Sequence, residues 1–465
     1  MLSRSCLGRN APRLLRKQCI ASNSRRGMAA AASAPRGFEY ETGDAAGVKF
    51  ANRDVAGPTS TLSVVAKAGS RYEPFPGYAD VLKKFAFKST AKRSALRITR
   101  EVELLGGELS SYHTRENIVL TAKFLQRDLP YFAELLAEVI SKAKYSRYEL
   151  DEHISNLIKY TQNDILASPA TQAVESAHKV AFHRGLGNPL VPSPSAPVNQ
   201  YLVAEGIAGY AEGAYAKPSI AIVSNGSNTT DVAKWVGEFF AEVPTAATSS
   251  PFAPKAAQPA QYYGGEERIP SQAGNAIVIA FPGSNAFTTT GYKAEVAVLS
   301  ALLGGQSTIK WSAGSSLLAK AASAFPNISV STQNAAYADA GLLYVTISGA
   351  HAATVSSAAG AVVETLKKVA AGEVAAEDVK RATALAKFRA LESAQSLYTG
   401  IELTGEGLIH GGKAFQIAQV GQAIEKVSDA QVKAAAKSLL SNKASFSAVG
   451  DLHVLPYATE LGLTV

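Results

Sequence analysis

The feature that most constrains the fold of this chain is an internal repeat. A β-rich run ending in Gly-Ser opens each copy, TLSVVAKAGSR at 61–71 and NAIVIAFPGSN at 275–285. The closing runs also match, KPSIAIVSNGS at 217–227 and NKASFSAVGDL at 442–452. The copies lie much further apart than the roughly 20–50 residues of a solenoid repeat. The pattern therefore predicts a duplicated domain.

Between its opening and closing runs, each copy holds a hairpin pattern followed by helices. The stretches 106–125 and 328–348 have Thr-, Val-, Ile- and Tyr-rich arms around a polar turn, which is typical of antiparallel hairpins. After the first hairpin, apolar residues recur at helical spacing at Leu129, Phe132, Leu136, Val139 and Ile140. A capping-box sequence begins at Ser428. The predicted fold class is α+β, with two homologous domains, each a mainly antiparallel sheet with helices packed on one face.

The domain boundaries follow from length and from the position of the prolines. A chain of 465 residues with 47% hydrophobic content exceeds what one ordinary core holds. Prolines, alanines and Gly264-Gly265 cluster in 244–270, a composition that favours an extended linker. We predict an N-terminal domain at 37–243, a linker at 244–270 and a C-terminal domain at 271–465.

The first 36 residues have the composition of a mitochondrial presequence. They contain serines and eight of the 46 Lys and Arg residues but no acidic residue. We predict cleavage near Arg25-Arg26-Gly27, so that the mature chain begins between Gly27 and Gly37. Both cysteines, Cys6 and Cys19, belong to this leader, so the mature protein is expected to contain no disulfide or thiolate site.

The charge and hydropathy of the body exclude two classes of partner. Without the leader the net charge of +8 vanishes, so a basic groove for nucleic acid is not predicted. No apolar run reaches the roughly 18–20 residues that a transmembrane helix needs. The body is expected to be soluble or peripheral to a membrane.

One local string resembles the metal-binding helix of the pitrilysin-like metalloprotease family, which includes insulinase and the mitochondrial processing peptidase. Active members carry Gly-x-x-His-x-x-Glu-His, and here the corresponding stretch is GYADVLKKFAFKST at 77–90. The flanking strings AGSRYE and FAFKST are similar to the family. The resemblance covers essentially the whole body and implies two duplicated α+β domains.

The resemblance also implies that the metal site is degenerate. The two histidine ligands, the glutamate base and the distant glutamate ligand fall on Asp80, Lys84, Lys83 and Thr161. Because lysine has a pKa of about 10.4, it is protonated at pH 7 and cannot ligate a metal. We therefore expect no catalytic residue, no metal and no cofactor. Asp80 precedes Lys84 by four residues, a favourable order for an ion pair, which we expect on a polar helix face.

The seven histidines of the sequence offer no alternative metal site. His178 and His183 are five residues apart, which is poor spacing for one helical face, and the others are scattered. We interpret all of them as surface or packing residues.

Two kinds of non-peptidase mitochondrial member exist in the family, and the chain resembles the core proteins of ubiquinol–cytochrome c reductase, respiratory complex III. The strings that carry this resemblance are ILASPATQAVESAHKVAFHRGLGNPL, GSSLLAKA, SVSTQNAAYADAGLL and VGDLHVLPYATEL. It implies a scaffold on the matrix side of the inner membrane. The implied partners are the companion core protein, cytochrome b, the c-type cytochrome and the Rieske protein.

The alternative is the substrate-binding α-type subunit of the processing peptidase, which presents a glycine-rich loop to its substrate. The corresponding region, 304–321, has only the glycines Gly304, Gly305 and Gly314. The sequence favours the core-protein interpretation and leaves this alternative open.

Overall fold

A computed structural model describes residues 39–55, 57–245, 250–256, 258–306, 314–392, 398 and 400–465. The predicted presequence and its processing point lie outside these residues. We call 39–245 the first half and 250–465 the second half. In the described part of the chain, no helix is both long and apolar enough to cross a membrane.

The first half contains a six-stranded sheet of order β1-β2-β6-β3-β5-β4. The β2–β6 pair is parallel and the other neighbours are antiparallel. The strands are β1 (Glu41–Ala45), β2 (Val48–Arg53), β3 (Thr59–Ala66), β4 (Glu108–His113), β5 (Ile118–Leu125) and β6 (Ile220–Asn225).

The second half contains a five-stranded sheet of order β7-β11-β8-β10-β9, in which β7–β11 is parallel and the other pairs are antiparallel. Its strands are β7 (Gly265–Pro270), β8 (Asn275–Pro282), β9 (Ile328–Ala336), β10 (Gly341–Gly349) and β11 (Ser445–Gly450). The order of β2-β6-β3-β5-β4 is thereby repeated. The predicted duplication, both hairpins and the mainly antiparallel sheets are confirmed.

A long helical stretch follows the hairpin of each half, as predicted, and further helices lie between the other strands. In the first half they are α1 (Tyr78–Phe85), α2 (Ala95–Leu104), α3 (Leu129–Ser141), α4 (Ser155–Ala167), α5 (Pro169–Phe182), α6 (Val198–Tyr201), α7 (Ala204–Ala214) and α8 (Thr229–Phe239). In the second half they are α9 (Ala294–Leu303), α10 (Leu317–Ala322), α11 (Ala352–Ala371), α12 (Ala376–Glu392), α13 (Ile401–His410), α14 (Ile417–Glu425) and α15 (Asp429–Ser441). The capping box at Ser428 is present at the start of α15.

Each sheet has one apolar face that packs against helices of its own half. In the first half the five apolar positions predicted on α3 are all buried in this core. In the second half α11 and α15 pack on β8 or β10, α9 packs on β9, and α12 packs on α9. Burial of these apolar faces is the main favourable contribution to folding.

The opposite face of each sheet is covered by a helix from the other half. Ala173, Ala177 and Ala181 of α5 pack on β8 and β11 of the second sheet. Reciprocally, Ile401 and Leu408 of α13 pack on the first sheet. The sequence analysis predicted helices on one face only, whereas both faces are covered. Strands that are buried on both faces read as continuous apolar runs, as 276–281 does, whereas 61–66 also contains the buried polar residues Thr61 and Ser63.

Two further expectations differ from the structure. Residues 265–270, predicted to belong to the linker, form β7, because their backbone pairs with β11. The helical spacing of Ile154, Leu157, Ile158 and Ile165 predicts a helix with one buried face; on α4 Ile158 is buried, but Leu157 is 43% exposed. The helical spacing therefore predicted α4 correctly but wrongly included Leu157 in its buried face.

Candidate functional site

Helix α1, which carries three of the four positions expected from the family resemblance, begins at a tightly fixed turn. Its N-cap is Gly77 with φ 97°, a left-handed conformation that favours glycine, and a Cβ there would lie 2.9 Å from Pro192 Cγ. Glu73 Oε2 accepts hydrogen bonds from the N–H groups of Gly77 and Ala79 at 3.0 and 3.3 Å. The buried carboxyl group of Glu73, whose pKa is raised well above its ordinary value by burial, thus accepts two N–H groups of the first turn of α1.

Asp80, Lys83 and Lys84 form a buried ion cluster on α1. Lys83 Nζ lies 3.0 Å from Asp80 Oδ1, and Lys84 Nζ contacts Asp80 Oδ2. The Asp80 side chain is 0% exposed and that of Lys84 is 7% exposed. The predicted pair of Asp80 and Lys84 is therefore present, and the helix face that carries it is buried, because α1 packs against β4, β5 and α7.

Charge and burial oppose each other in this cluster. Burial acts to raise the pKa of Asp80, but Lys84 and Lys83 outweigh it and hold the pKa below its ordinary value. Burial lowers the pKa of Lys84, and Asp80 partly offsets this effect. One carboxylate thus stabilises two ammonium groups that would otherwise repel each other.

His113 at the end of β4 belongs to the same neighbourhood, and the sequence analysis missed it. Its Nε2 lies 2.8 Å from the carbonyl oxygen of Leu190. Burial lowers the pKa of His113, although the charge of Asp80 acts in the opposite direction. His113 ends β4, which pairs with β5, and β5 pairs with β3, the strand before α1. This order of strands was the signal that could have predicted a position of His113 near Asp80.

Thr161, the fourth position, is bonded within its own helix. Its hydroxyl donates to the carbonyl oxygen of Leu157 at 2.8 Å. Within the described residues it makes no hydrogen bond to Asp80, Lys83 or Lys84. The structure thus brings the three α1 residues together without bonding Thr161 to them.

The cluster of Asp80, Lys83 and Lys84 pairs one carboxylate with two ammonium groups but offers few atoms that could bind a metal ion. Over the part of the chain that the structure describes, no group of three His, Cys, Asp or Glu side chains could hold a metal ion. Zinc sites in proteins need three or four such ligands. Both oxygens of Asp80 already face ammonium groups.

His178 is a packing residue within the contact between the halves. Its Nδ1 lies 2.8 Å from the carbonyl oxygen of Val174, and its Nε2 shares a hydrogen bond of 2.9 Å with the Tyr337 hydroxyl. Burial, followed by the charge of Arg115, lowers the pKa of His178 to about 3. The imidazole is therefore neutral at pH 7. His183 instead stacks on Tyr263 at 4.1 Å between ring centroids.

A second buried cluster, also missed in the sequence, joins the two halves. Arg71 follows β3 and contacts Glu116 of the β4–β5 turn at 2.6 Å and Asp339 of the β9–β10 turn at 2.6 Å. The main-chain N–H of Ala338 donates to Glu116 Oε2 at 2.9 Å. Arg71 lies in the family-like string AGSRYE, but its partners are distant in sequence, so only the fold reveals them.

Helix α13 adds two carboxyl groups to this cluster. Glu402 accepts from the Thr114 hydroxyl at 2.7 Å. Glu406, one turn later, is 3% exposed. Burial, and then the neighbouring Glu116 and Glu402, raise the pKa of Glu406 to about 9. A buried neutral acid therefore lies between the halves at pH 7.

The region expected to hold a glycine-rich loop is described only at its ends, because 307–313 lie outside the described residues. Before this gap, the N–H of Gln306 donates to the carbonyl oxygen of Val330 at 3.0 Å. After it, the Ser316 hydroxyl donates to the carbonyl oxygen of Gly305 at 2.9 Å.

Comparison with known families finds two matches in succession along the chain. Residues 50–193 match the model described as insulinase (peptidase family M16). Residues 205–385 match the model described as peptidase M16 inactive domain.

Among individual proteins, the chain is 50% identical to the mitochondrial cytochrome b-c1 complex subunit 2 of Neurospora crassa, over 100% of both chains. The subunit of the same name from Yarrowia lipolytica is 37% identical, with 94% of this chain and 99% of that protein covered. The human subunit of that name is 28% identical, with 89% and 90% covered.

Among solved structures, a chain of complex III2 from Candida albicans with Inz-5 bound has a TM-score of 0.76 at 19% identity. The match covers 92% of this chain and 99% of that one. At this identity the likeness concerns the fold, and it extends through both halves.

Proposed function

The chain belongs to the insulinase family (peptidase family M16), and on that basis we propose that it is core protein 2, subunit 2 of the mitochondrial cytochrome b-c1 complex. The observation that carries this proposal is the 50% identity to the Neurospora crassa subunit over the full length of both chains. Because the match covers 100% of both chains, it includes both sheets and also α5 and α13, the helices that each cover the sheet of the other half. It therefore supports the role of the whole protein.

The proposed role is structural, in the assembly and stability of ubiquinol–cytochrome c reductase. Partners would be core protein 1, cytochrome b, the c-type cytochrome and the Rieske protein, with no nucleic acid. Such a subunit is associated with the mitochondrial inner membrane, and we place it peripherally on the matrix side. The redox cofactors would belong to other subunits.

We further propose that the M16 metal site is degenerate here. The positions of the two histidines and the catalytic glutamate are taken by Asp80, Lys84 and Lys83, and the one carboxylate of Asp80 pairs with both ammonium groups. Thr161, at the fourth position, uses its hydroxyl within α4. Elemental analysis of the purified chain should find no stoichiometric zinc, because protonated lysines and a threonine cannot replace the zinc ligands. One equivalent of zinc per chain would contradict the proposal.

The alternative is a substrate-binding subunit of the processing peptidase. Neither the relatives nor the described ends of 304–321 favour it. Still, the two roles predict different phenotypes, because one complex reduces cytochrome c and the other cleaves precursors.

The test is depletion of this protein from mitochondria, followed by native gel electrophoresis and a parallel assay of precursor cleavage. We expect loss of assembled complex III and of ubiquinol–cytochrome c reductase activity, with precursor processing unchanged. Re-expression of the full chain provides the control. Normal complex III together with accumulating precursors would establish the alternative.

A further inference from the structure

An open cavity of about 580 Å³ lies where the two halves meet. Lys67, Arg71 and Tyr72 line it from the first half, and His410 and Lys413 line it from the second. Pockets for small molecules commonly have volumes of about 300–1,000 Å³. The cavity is therefore large enough for a small ligand, and it does not include the Asp80 cluster.

The charges in the wall of this cavity are not balanced. Glu116 and Asp339 both contact the guanidinium of Arg71, so these three side chains together carry one net negative charge. Lys67 has no carboxylate partner among the residues that the structure describes. Its closest aromatic neighbour is the Tyr72 ring, whose centroid is 5.2 Å from Nζ. Together with Lys67 and the exposed Lys413, the wall therefore carries a net positive charge, although Glu116 and Asp339 also act on Lys67.

Two titratable groups of the wall respond to this charge. Burial, followed by the charge of Arg71, lowers the pKa of Lys67. Burial lowers the pKa of His410 to about 4, and the charges of Lys67 and Arg71 contribute to that shift. The charge of Arg71 thus acts on a titratable group on each side of the cavity, and that of Asp339 opposes it at both.

The wall also retains hydrogen-bonding capacity. Tyr72 Oη, Thr288 Oγ1 and His410 Nε2 are covered, and each has no hydrogen-bond partner in the described part of the protein. Buried polar atoms are ordinarily satisfied by protein groups or water. Small side-chain rotations would let these atoms bond to a ligand that fills the cavity.

We propose that this cavity is a binding site for a small oxyanion, with a phosphate or carboxylate group held between Lys67 and Lys413. Ammonium groups suit such a ligand because they offer charge-assisted hydrogen bonds. Lys67 belongs to the first half and Lys413 to the second, so the bound ion would join the halves. Binding to the folded state alone would raise its stability in a saturable way.

The experiment measures thermal unfolding of the purified full chain in increasing concentrations of inorganic phosphate or succinate. Sodium chloride at matched ionic strength provides the reference, because it screens charges without supplying an oxyanion. The phosphate and succinate arms distinguish the two sources of an oxyanion. Lys67→Met and Lys413→Met remove the proposed ligands, and Lys437→Met, an exposed lysine on α15, is the matched control.

We expect a saturable rise in Tm with phosphate or succinate beyond the chloride reference. Lys67→Met should weaken the apparent affinity at least ten-fold, and Lys437→Met should leave it unchanged. Since Lys413 is exposed, Lys413→Met should fold normally and also weaken binding. The proposal is overturned if neither oxyanion acts beyond chloride, or if Lys67→Met and Lys413→Met respond like the parent chain.

Discussion

The guanidinium of Arg71 donates two hydrogen bonds to the carboxylate of Asp339, at 2.7 and 2.6 Å. The two residues belong to different halves of the chain, so this bidentate pair fixes the β9–β10 turn against the loop after β3. Burial acts to raise the pKa of Asp339, but the hydrogen bonds from Arg71 and from the N–H of Ala260 leave it below its ordinary value.

The first prediction is that Asp339→Asn destabilises the protein modestly. The Asp339 side chain is 37% exposed, so solvent screens the pair, and we expect a loss of about 1 kcal/mol in the free energy of unfolding. The loss should shrink at acidic pH, because a carboxyl group with a lowered pKa contributes stability above its ordinary pKa and loses it as pH falls. Urea unfolding at pH 7 and at a pH well below 3.8, the ordinary value of this carboxyl group, measures both effects. Asp164→Asn, an exposed residue on α4, is the control; equal losses would contradict the prediction.

Asp80→Asn should be much more costly. It leaves Lys83 and the buried Lys84 without a counter-charge, and breaking a buried ion pair on one side costs about 3–5 kcal/mol. Because Lys83 is 20% exposed, it can turn toward solvent, so Lys83→Met should cost less. Urea unfolding of the purified chain provides the measurement.

A double variant separates loss of the charge pair from loss of packing. Asp80→Asn combined with Lys84→Met removes both buried charges, so it should be more stable than Asp80→Asn alone. If the double variant were less stable than both single variants by an additive amount, the two residues would not be coupled.

The sheets were predictable because their signals are local. Each hairpin joins strands that are neighbours in sequence, and β5 and β10 carry the β-branched residues that favour this pairing. The covering of the second face was not predictable, because α5 and α13 pack on sheets far away in the chain. The alanines at four-residue spacing on α5, Ala173, Ala177 and Ala181, indicate a close helix contact but not its partner.

The same distinction applies to the site. The Asp80–Lys84 contact could be read from spacing on one helix, because residues four apart are neighbours. Its burial could not, because it depends on elements brought in by tertiary packing. Glu116, Asp339 and Glu406 come from three separate segments, so their meeting at Arg71 depends entirely on the assembled fold.

The raised pKa of Glu406 makes the free energy of unfolding depend on pH between 4.5 and about 9. This pKa is raised to about 9 from an ordinary value of 4.5. The folded state therefore holds this proton more tightly than the unfolded state does between these two values. The contribution of Glu406 to stability is fully present below pH 4.5 and is lost as pH rises toward 9, with a slope of at most about 1.4 kcal/mol per pH unit.

The third prediction is that Glu406→Gln removes this pH dependence, because the amide cannot lose a proton. Relative to the parent chain, the variant should gain stability from pH 7 to pH 9. Urea unfolding at pH 7, 8 and 9 provides the comparison, with Glu212→Gln, an exposed position on α7, as control. Parallel pH profiles for the parent and Glu406→Gln would show that Glu406 is not the responsible group.

The fourth prediction concerns processing of the leader. The acid-free composition of 1–36 and the run Arg25-Arg26-Gly27 indicate removal after import. The mature chain isolated from mitochondria should begin between Gly27 and Gly37, which N-terminal sequencing would determine. Replacement of Arg25 and Arg26 by Ala should shift or slow cleavage, whereas replacement of Arg4 and Arg9 should leave the cut in place. A protein that retains Met1 would exclude this processing.

The last prediction follows from α5 and α13, the two helices that each cover the sheet of the other half. A chain that ends at residue 263 lacks α13, so Val65, Val119 and Val223 of the first sheet lose their cover. It also leaves the alanine face of α5 without the second sheet. A fully buried valine side chain contributes about 1.5–3 kcal/mol, and exposed apolar patches of this kind promote aggregation. Residues 37–263 alone should therefore aggregate or be rapidly cleaved in limited proteolysis.

Co-expression with residues 264–465 as a separate chain should restore a soluble, protease-resistant complex, because the contacts of α5 and α13 with the opposite sheets do not need a covalent link. A monomeric 37–263 fragment with cooperative unfolding would show that the first sheet is stable without α13.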